Sequence, residues 1–326
     1  METSAPSVGA LRPLGVGEIL DRAVTLCVRN ILPLALIWLL FAVPLELFQY
    51  FGTEDQTKTF GALADVLQKS SGKGSDFDAV LKAMQGKPIF NAWTVMTFVW
   101  IFLVAPLPSA ALMAATSALY LGRKIDVAGA YRTALARWPN LIGLAILWLI
   151  CTVAALVVIF FVLFVAIFGL ALVTVALHNV GIVIDVVFGI IATIGFFAIF
   201  MVGVVAYEMG AYACVIEGLG FVAAFSSGLQ RVFSQAGFRR SLVFGLAYIA
   251  ITLGLSFVTL IGQAVLLGLV RSQILGMAFT VLVAISTAGF ITGFFTIFYF
   301  DLRVRKEGLD LQLAAAAVST DALSTA

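Results

Sequence analysis

The chain has 326 residues, of which 62% are hydrophobic and 11% charged, and its formal net charge is +2. Soluble domains carry about 25% charged residues, so this excess of apolar side chains excludes a fold closed around a single water-soluble core and requires lipid to cover much of the surface. The near balance of charge gives no basis for a nucleic-acid partner.

Residues 1–13 are small and polar, and the first long apolar run begins at Ile31. That run is too long and too late for a cleaved leader, so it reads as a first membrane span over 31–51, interrupted by Pro44 and Glu46. Just before it, Glu18, Asp21, Arg22, Thr25 and Arg29 share one helical stripe, opposed by Ile19, Leu20, Ala23, Val24 and Cys27. This is the pattern of an amphipathic helix lying in the interface plane. The loop 52–88 is the one sizeable extramembrane piece. Phe60, Leu63, Val66 and Leu67 mark a short amphipathic helix in it, and Phe77, Val80, Leu81 and Met84 mark another, with a Ser/Gly-rich link between. A second apolar block covers 90–121 and holds Pro106 and Pro108, which predict a kinked span, the kink being either purely structural or a source of freed carbonyls that line a cavity.

A shorter amphipathic stretch surrounds Arg132 and Arg137, with Tyr131, Ala134, Leu135 and Trp138 as its apolar side. From 138 to 184 no residue is charged. As one helix that stretch would run about 70 Å, so it must break, and His178-Asn179-Val180-Gly181 is the place to do it. Spans three and four are predicted near 140–170 and 182–213, with a re-entrant segment near 168–180 as the competing arrangement. A third amphipathic stretch sets Ser226, Ser227, Gln230, Arg231, Ser234 and Gln235 against Phe221, Phe225, Leu229, Val232 and Phe233. Spans five and six follow over 241–270 and 272–300, separated only by Arg271. The tail 311–326 reads as disordered.

Shifting the chain by 110 residues places Arg22 on Arg132, Asn30 on Asn140 and Trp38 on Trp148. A weaker third copy repeats Gly143-Leu144-Ala145 as Gly245-Leu246-Ala247. The expected architecture is therefore an all-α membrane protein with six transmembrane helices in three hairpins, each preceded by a cytoplasmic interfacial helix. The units run over about 14–121, 125–216 and 219–302 within one domain, 1–310. Thirteen of the nineteen Lys and Arg residues, and all the arginines but Arg271, fall on the side of both chain ends. The excess of basic residues assigns that side to the cytoplasm of an inner membrane.

Chemistry-bearing motifs are sparse. One histidine, His178, cannot supply a catalytic pair, a triad or a His-rich metal site. Lys73 lacks the leading glycine of a phosphate-binding loop. Cys27, Cys151 and Cys214 are odd in number and sit in or beside apolar segments, so a disulfide framework is not expected. No cofactor is implied. The candidates are charges in or beside spans, because an unpaired charge in lipid costs several kcal/mol. These are Glu18, Asp21, Arg22, Arg132, Glu208, Glu217, Arg231, Asp301, Arg303 and Arg305, with Glu46 and Asp185 as further intramembrane acids. Glu208 follows 22 uncharged residues and reads either as a functional acid or as an interfacial anchor. Gly289-x3-Gly293 and the stripe Ala110, Ala114, Ala118 predict close helix packing.

The opening Leu11-Arg12-Pro13-Leu14-Gly15-Val16-Gly17-Glu18-Ile19-Leu20-Asp21-Arg22-Ala23 resembles the entry segment of bacterial proteins with the glycerophosphoryl diester phosphodiesterase membrane domain. Glu217-Gly218-Leu219, with Ala224, Ser227, Leu229 and Arg231, resembles their link before the fifth span, and 299–310 resembles their exit motif. The resemblance implies a stand-alone membrane module. The catalytic domain of that family resembles a TIM barrel and uses histidines and acids with a metal, and neither the barrel nor its histidines are present in this sequence. Three readings follow: a non-enzymatic scaffold or partner-binding module, a small transporter with a polar path from Pro106 towards Glu208, and a lipid-acting enzyme using Glu217 and Asp301. The expected partners are membrane lipids with anionic headgroups at the cytoplasmic face, and a protein partner or a second copy of the chain.

Overall fold

The computed structural model describes residues 12–70, 92–124, 126–177, 179–270, 272–309 and 312. The second amphipathic stretch of the long loop, Lys73, His178, Arg271 and the tail after Gln312 lie outside the described residues, as does the side chain of Asp185.

The described chain is all helix: α1 Val16–Arg29, α2 Ile31–Ser70, α3 Ala92–Val99, α4 Pro106–Tyr120, α5 Val127–Leu177, α6 Asn179–Tyr212, α7 Phe221–Val232, α8 Gln235–Val265 and α9 Gln273–Glu307. Turns of π-helix continue α3 over Trp100–Val104, α6 over Ala213–Glu217 and α8 over Leu266–Val270. Six stretches are long and apolar enough to cross a bilayer: Ile31–Gly52, Ala92–Tyr120, Val127–Ala166, Val186–Glu217, Gly237–Val270 and Ile274–Glu307. The chain is thus a multi-pass helical membrane protein.

Packing between helices is concentrated at the arginine-bearing end. There α1 packs on α9, α5 on α4, and α7 on α6. Ala111 and Leu112 of α4, Val205 and Met209 of α6, Phe244 of α8, and Phe294 and Phe298 of α9 are all buried in one core. Phe244 stacks on Phe294 and Phe298, with ring centroids 4.2 and 3.8 Å apart. Towards the other end the helices present their side chains outward: Phe161 and Phe164 of α5, Ile194 of α6 and Leu260 of α8 are each more than 60% exposed. Side chains so apolar at that exposure require lipid around them.

Small residues set the tightest crossing. Ala224 and Gly228 of α7 lie on Ala206 and Gly210 of α6, a small-x3-small pattern on both helices. A Cβ built on Gly228 would stand 2.8 Å from the Gly210 nitrogen and 3.0 Å from its Cα, both backbone atoms that do not give way. Gly228→Ala is therefore expected to cost about 1–3 kcal/mol of stability. Gly254→Ala on α8, where nothing lies within 4 Å, is expected to be neutral or to stabilise by up to about 1 kcal/mol. Unfolding midpoints of the two variants in detergent check the pair. The Gly289-x3-Gly293 pattern works the same way: Gly289 faces Leu34 and Cys27, and Gly293 faces Leu26 and the Ala23 carbonyl.

Four sequence expectations change. The amphipathic stretch around Arg132 is not a separate helix, because α5 runs unbroken from Val127 to Leu177 through Pro139. Immediately before the proline the helix is held by its neighbours: Arg137 donates to the Gly218 carbonyl at 3.2 Å, and the Trp138 indole donates to the Leu103 carbonyl at 2.8 Å. Asn30, by contrast, does separate α1 from α2, its side-chain amide donating to Leu26 O at 2.9 Å. The amphipathic stretch at Phe60–Leu67 is likewise the continuation of α2, with Pro44 inside the helix. In α1, Ile19, Ala23 and Cys27 are buried, while Leu20 and Val24 are exposed, so the apolar side splits between core and surface. Finally, Pro106 lacks the N–H that would continue an α-helical register, and the chain answers with the π turn in which Ala105 N donates to Trp100 O at 3.1 Å. The Leu103 carbonyl in that turn is taken by Trp138, so here it joins two helices instead of lining a cavity.

Candidate functional site

Two charge clusters form at the arginine-bearing end, and both are built by the close-packed helices. The first centres on Arg231. The crossing at Gly228 presses α7 against α6, and the Arg231 side chain, only 7% exposed, then points inward. Its Nη2 lies 2.6 Å from Glu217 and 2.8 Å from Glu307. Arg303 Nε donates to Glu307 at 2.8 Å and lies 3.7 Å from Glu217. The Tyr299 hydroxyl donates to Glu217 in a very short contact, and both guanidinium groups sit over the Tyr299 ring, 5.2 and 5.8 Å from its centroid. Burial works to lower the pKa of Arg231, but Tyr299, Glu217 and Glu307 together outweigh it and raise it, so the guanidinium stays charged.

Helix ends place the two acids. Glu217-Gly218-Leu219 and Glu307-Gly308-Leu309 each close a span, with Gly218 at φ 75° and Gly308 at φ 59°. Only a residue without Cβ adopts that left-handed turn freely. It stops each helix one residue after its glutamate.

The second cluster centres on Asp301, whose side chain is fully buried. It accepts the Leu14 N–H at 2.7 Å and lies 3.2 Å from Arg305 Nε. Arg240 Nε stands 2.8 Å from Asp301 Oδ2, at an angle that makes an ion contact and not a hydrogen bond. Arg240 and Arg305 also both donate to the Leu14 carbonyl, Arg240 in a very short contact and Arg305 at 3.1 Å. The segment before α1 is thereby fastened to the ends of α8 and α9.

Deeper in the bundle a hydroxyl network joins the second, fourth and sixth spans. Thr116 and Thr296 are 2.7 Å apart, and the Tyr212 hydroxyl is 2.9 Å from Thr296 and donates to the Thr292 carbonyl at 2.7 Å. The Tyr212 ring stacks on Tyr299, centroids 5.3 Å apart, which links this network to the Arg231 cluster.

The sequence candidates are thus sorted. Glu217, Arg231 and Arg303 meet in one cluster, and Asp301 and Arg305 in another. Arg22 pairs with Glu18 at 2.9 Å, and Arg12 reaches the same carboxylate at 2.7 Å. Asp21 and Arg132 are exposed and, among the described residues, make no ion pair. Glu208 is half-buried one turn before Tyr212 and joins neither cluster. Arg231 corrects the expectation of a polar stripe turned to headgroups, because the face of α7 that packs holds Ala224, Gly228 and Arg231 while Phe221 and Phe233 are exposed. Sequence reasoning missed Glu307, Tyr299, Arg240 and the hydroxyl network. The recurrence of Glu-Gly-Leu at 217–219 and 307–309 was the available signal for Glu307. The hydroxyls carry no such signal, because threonine and tyrosine are ordinary in apolar helices.

A groove of about 290 Å³ lies between α5, α6 and α7, lined by apolar side chains that include Trp148, Phe200, Leu229 and Phe233. Among the described residues no group of three or more His, Cys, Asp or Glu side chains is placed to hold a metal ion. No family model, curated protein or solved structure matches the chain.

Proposed function

We propose that the chain is a non-catalytic module of the inner membrane, a scaffold or partner-binding unit whose arginine-bearing end faces the cytoplasm. Its work is to present a fixed surface within the membrane. The observation that carries this reading is the mutual saturation of the polar groups within the two charge clusters and the hydroxyl network. Arg231, Arg303, Glu217 and Glu307 neutralise one another, Asp301 is spent on Arg240, Arg305 and the Leu14 backbone, and Thr116, Tyr212 and Thr296 satisfy one another at the bundle centre. A carrier needs a polar path from Pro106 towards Glu208, whereas the Leu103 carbonyl, three residues before Pro106, is occupied by Trp138. A lipid-acting enzyme needs Glu217 and Asp301 to converge on one substrate, whereas they belong to ion-pair sets that share no residue.

The reading includes a pseudo-threefold plan of three hairpins about an axis along the membrane normal. It is supported by the cyclic packing of α1 on α9, the start of α5 on α4, and α7 on α6. It is also supported by left-handed glycines after the second, fourth and sixth spans, at Gly122, Gly218 and Gly308. Kinship with the membrane domain of the glycerophosphoryl diester phosphodiesterase family belongs to the same proposal, resting on the motifs at 11–23, 217–231 and 299–310.

The test is water access to the bundle centre. Thr116→Cys and Thr296→Cys are placed singly in a chain whose three native cysteines are replaced, and sealed vesicles are treated from each side with a membrane-impermeant thiol reagent. The module reading predicts no labelling from either side. Labelling of either position from both sides establishes a carrier instead.

A further inference from the structure

The groove between α5, α6 and α7 has the form of a lipid site. Its lining residues on α5 run from Trp148 to Ile159. The eleven residue-to-residue steps of helix between them span about 16 Å, roughly half of a 30 Å hydrocarbon layer and so the depth of one leaflet. Gly203 keeps the floor low, since even a Cβ there would already touch the Trp148 ring at 3.5 Å. The end nearest the arginines is formed by Leu229 of α7 and by Phe233, which caps that helix. Phe233 packs on Phe238, centroids 6.1 Å apart, and the next residue, Arg239, is exposed and in no ion pair among the described residues. The cations around it are otherwise engaged: Arg240 with Asp301, Arg231 with Glu217 and Glu307, and Lys306 with the Gln230 carbonyl.

An apolar slot about one leaflet deep, with an unpaired cation next in the chain to the ring that packs on its end, is complementary to one kind of molecule. We propose that the groove holds an acyl chain of an anionic phospholipid from the arginine-side leaflet, with the lipid phosphate on Arg239. This deepens the reading of the chain as a binding module by naming the class of ligand and its place.

Trp148 reports on the site directly. The whole protein is reconstituted in zwitterionic phospholipid vesicles containing a minor fraction of phospholipid brominated part-way along its chains, either anionic or zwitterionic. The quenching that disappears in Trp148→Phe is the part due to this ring. The expected result is that half-quenching at Trp148 needs about fivefold less of the anionic lipid. That factor corresponds to the roughly 1 kcal/mol contributed by one basic residue near an anionic lipid surface. Arg239→Gln, at an exposed position outside both clusters, removes the preference. Equal quenching by the two lipids, no quenching at Trp148, or a preference that survives Arg239→Gln overturns the proposal. Thiol access at Thr116 reads the bundle centre and not this groove, so the two readings fail separately.

Discussion

Replacing Asp301 with alanine is expected to lower the unfolding free energy by about 3–5 kcal/mol, the cost of stripping one partner from a buried ion pair. The side chain is fully buried and serves Arg240, Arg305 and the Leu14 N–H at once. Its loss leaves the Arg240 guanidinium, which is 19% exposed, facing Arg305 with no counter-charge, and leaves a backbone donor unmatched. Asp301→Asn keeps an oxygen for Leu14 N–H and is expected to recover part of the loss. Heat-induced loss of the monodisperse protein in detergent, followed for both variants, measures the order. Equal midpoints for wild type and Asp301→Ala would show that the cluster does not fasten the entry segment.

The second large effect is expected at Arg231. Alanine here leaves Glu217 and Glu307 around a void with only Arg303 to share, again at about 3–5 kcal/mol. The loss has a specific rescue. Glu217→Gln in the Arg231→Ala background removes one of the two stranded acids and keeps an acceptor for Tyr299, so the double variant is expected to be more stable than Arg231→Ala alone. A double variant that loses the sum of both single effects would show that the two residues act independently.

Much of this fold was legible in the sequence because lipid imposes a simple rule. A stretch of about 20 apolar residues must be a helix, and six such stretches stand out around Pro44, Pro106, Trp148, Gly195, Leu255 and Ala288. The helix ends were harder. Nothing in the residues around Pro139 announces that α5 passes through it, because the bonds that hold it there come from Gly218 and Leu103, distant in sequence. The site was legible in part of its membership and not in its geometry. Glu217, Arg231, Asp301, Arg303 and Arg305 drew attention as charges beside apolar segments. Periodicity alone put Arg231 on the polar face of α7, where headgroups were expected. Its burial depends on Gly228 and Gly210 letting two helices touch, and small residues look unremarkable until their partners are known. The arginines of the two clusters are therefore internal fasteners, whereas Arg132 and Arg239 stay exposed.

We propose that six spans place both arginine-bearing connections and the chain's end on one face of the membrane, opposite the loop after the first span. Single cysteines at Ser75, Arg123 and Ser319, in a chain with Cys27, Cys151 and Cys214 replaced, test it in sealed vesicles of known orientation. Arg123→Cys and Ser319→Cys are expected to react with an impermeant reagent only from the cytoplasmic side, and Ser75→Cys only from the opposite side. Labelling of Ser75→Cys and Arg123→Cys from the same side would contradict it.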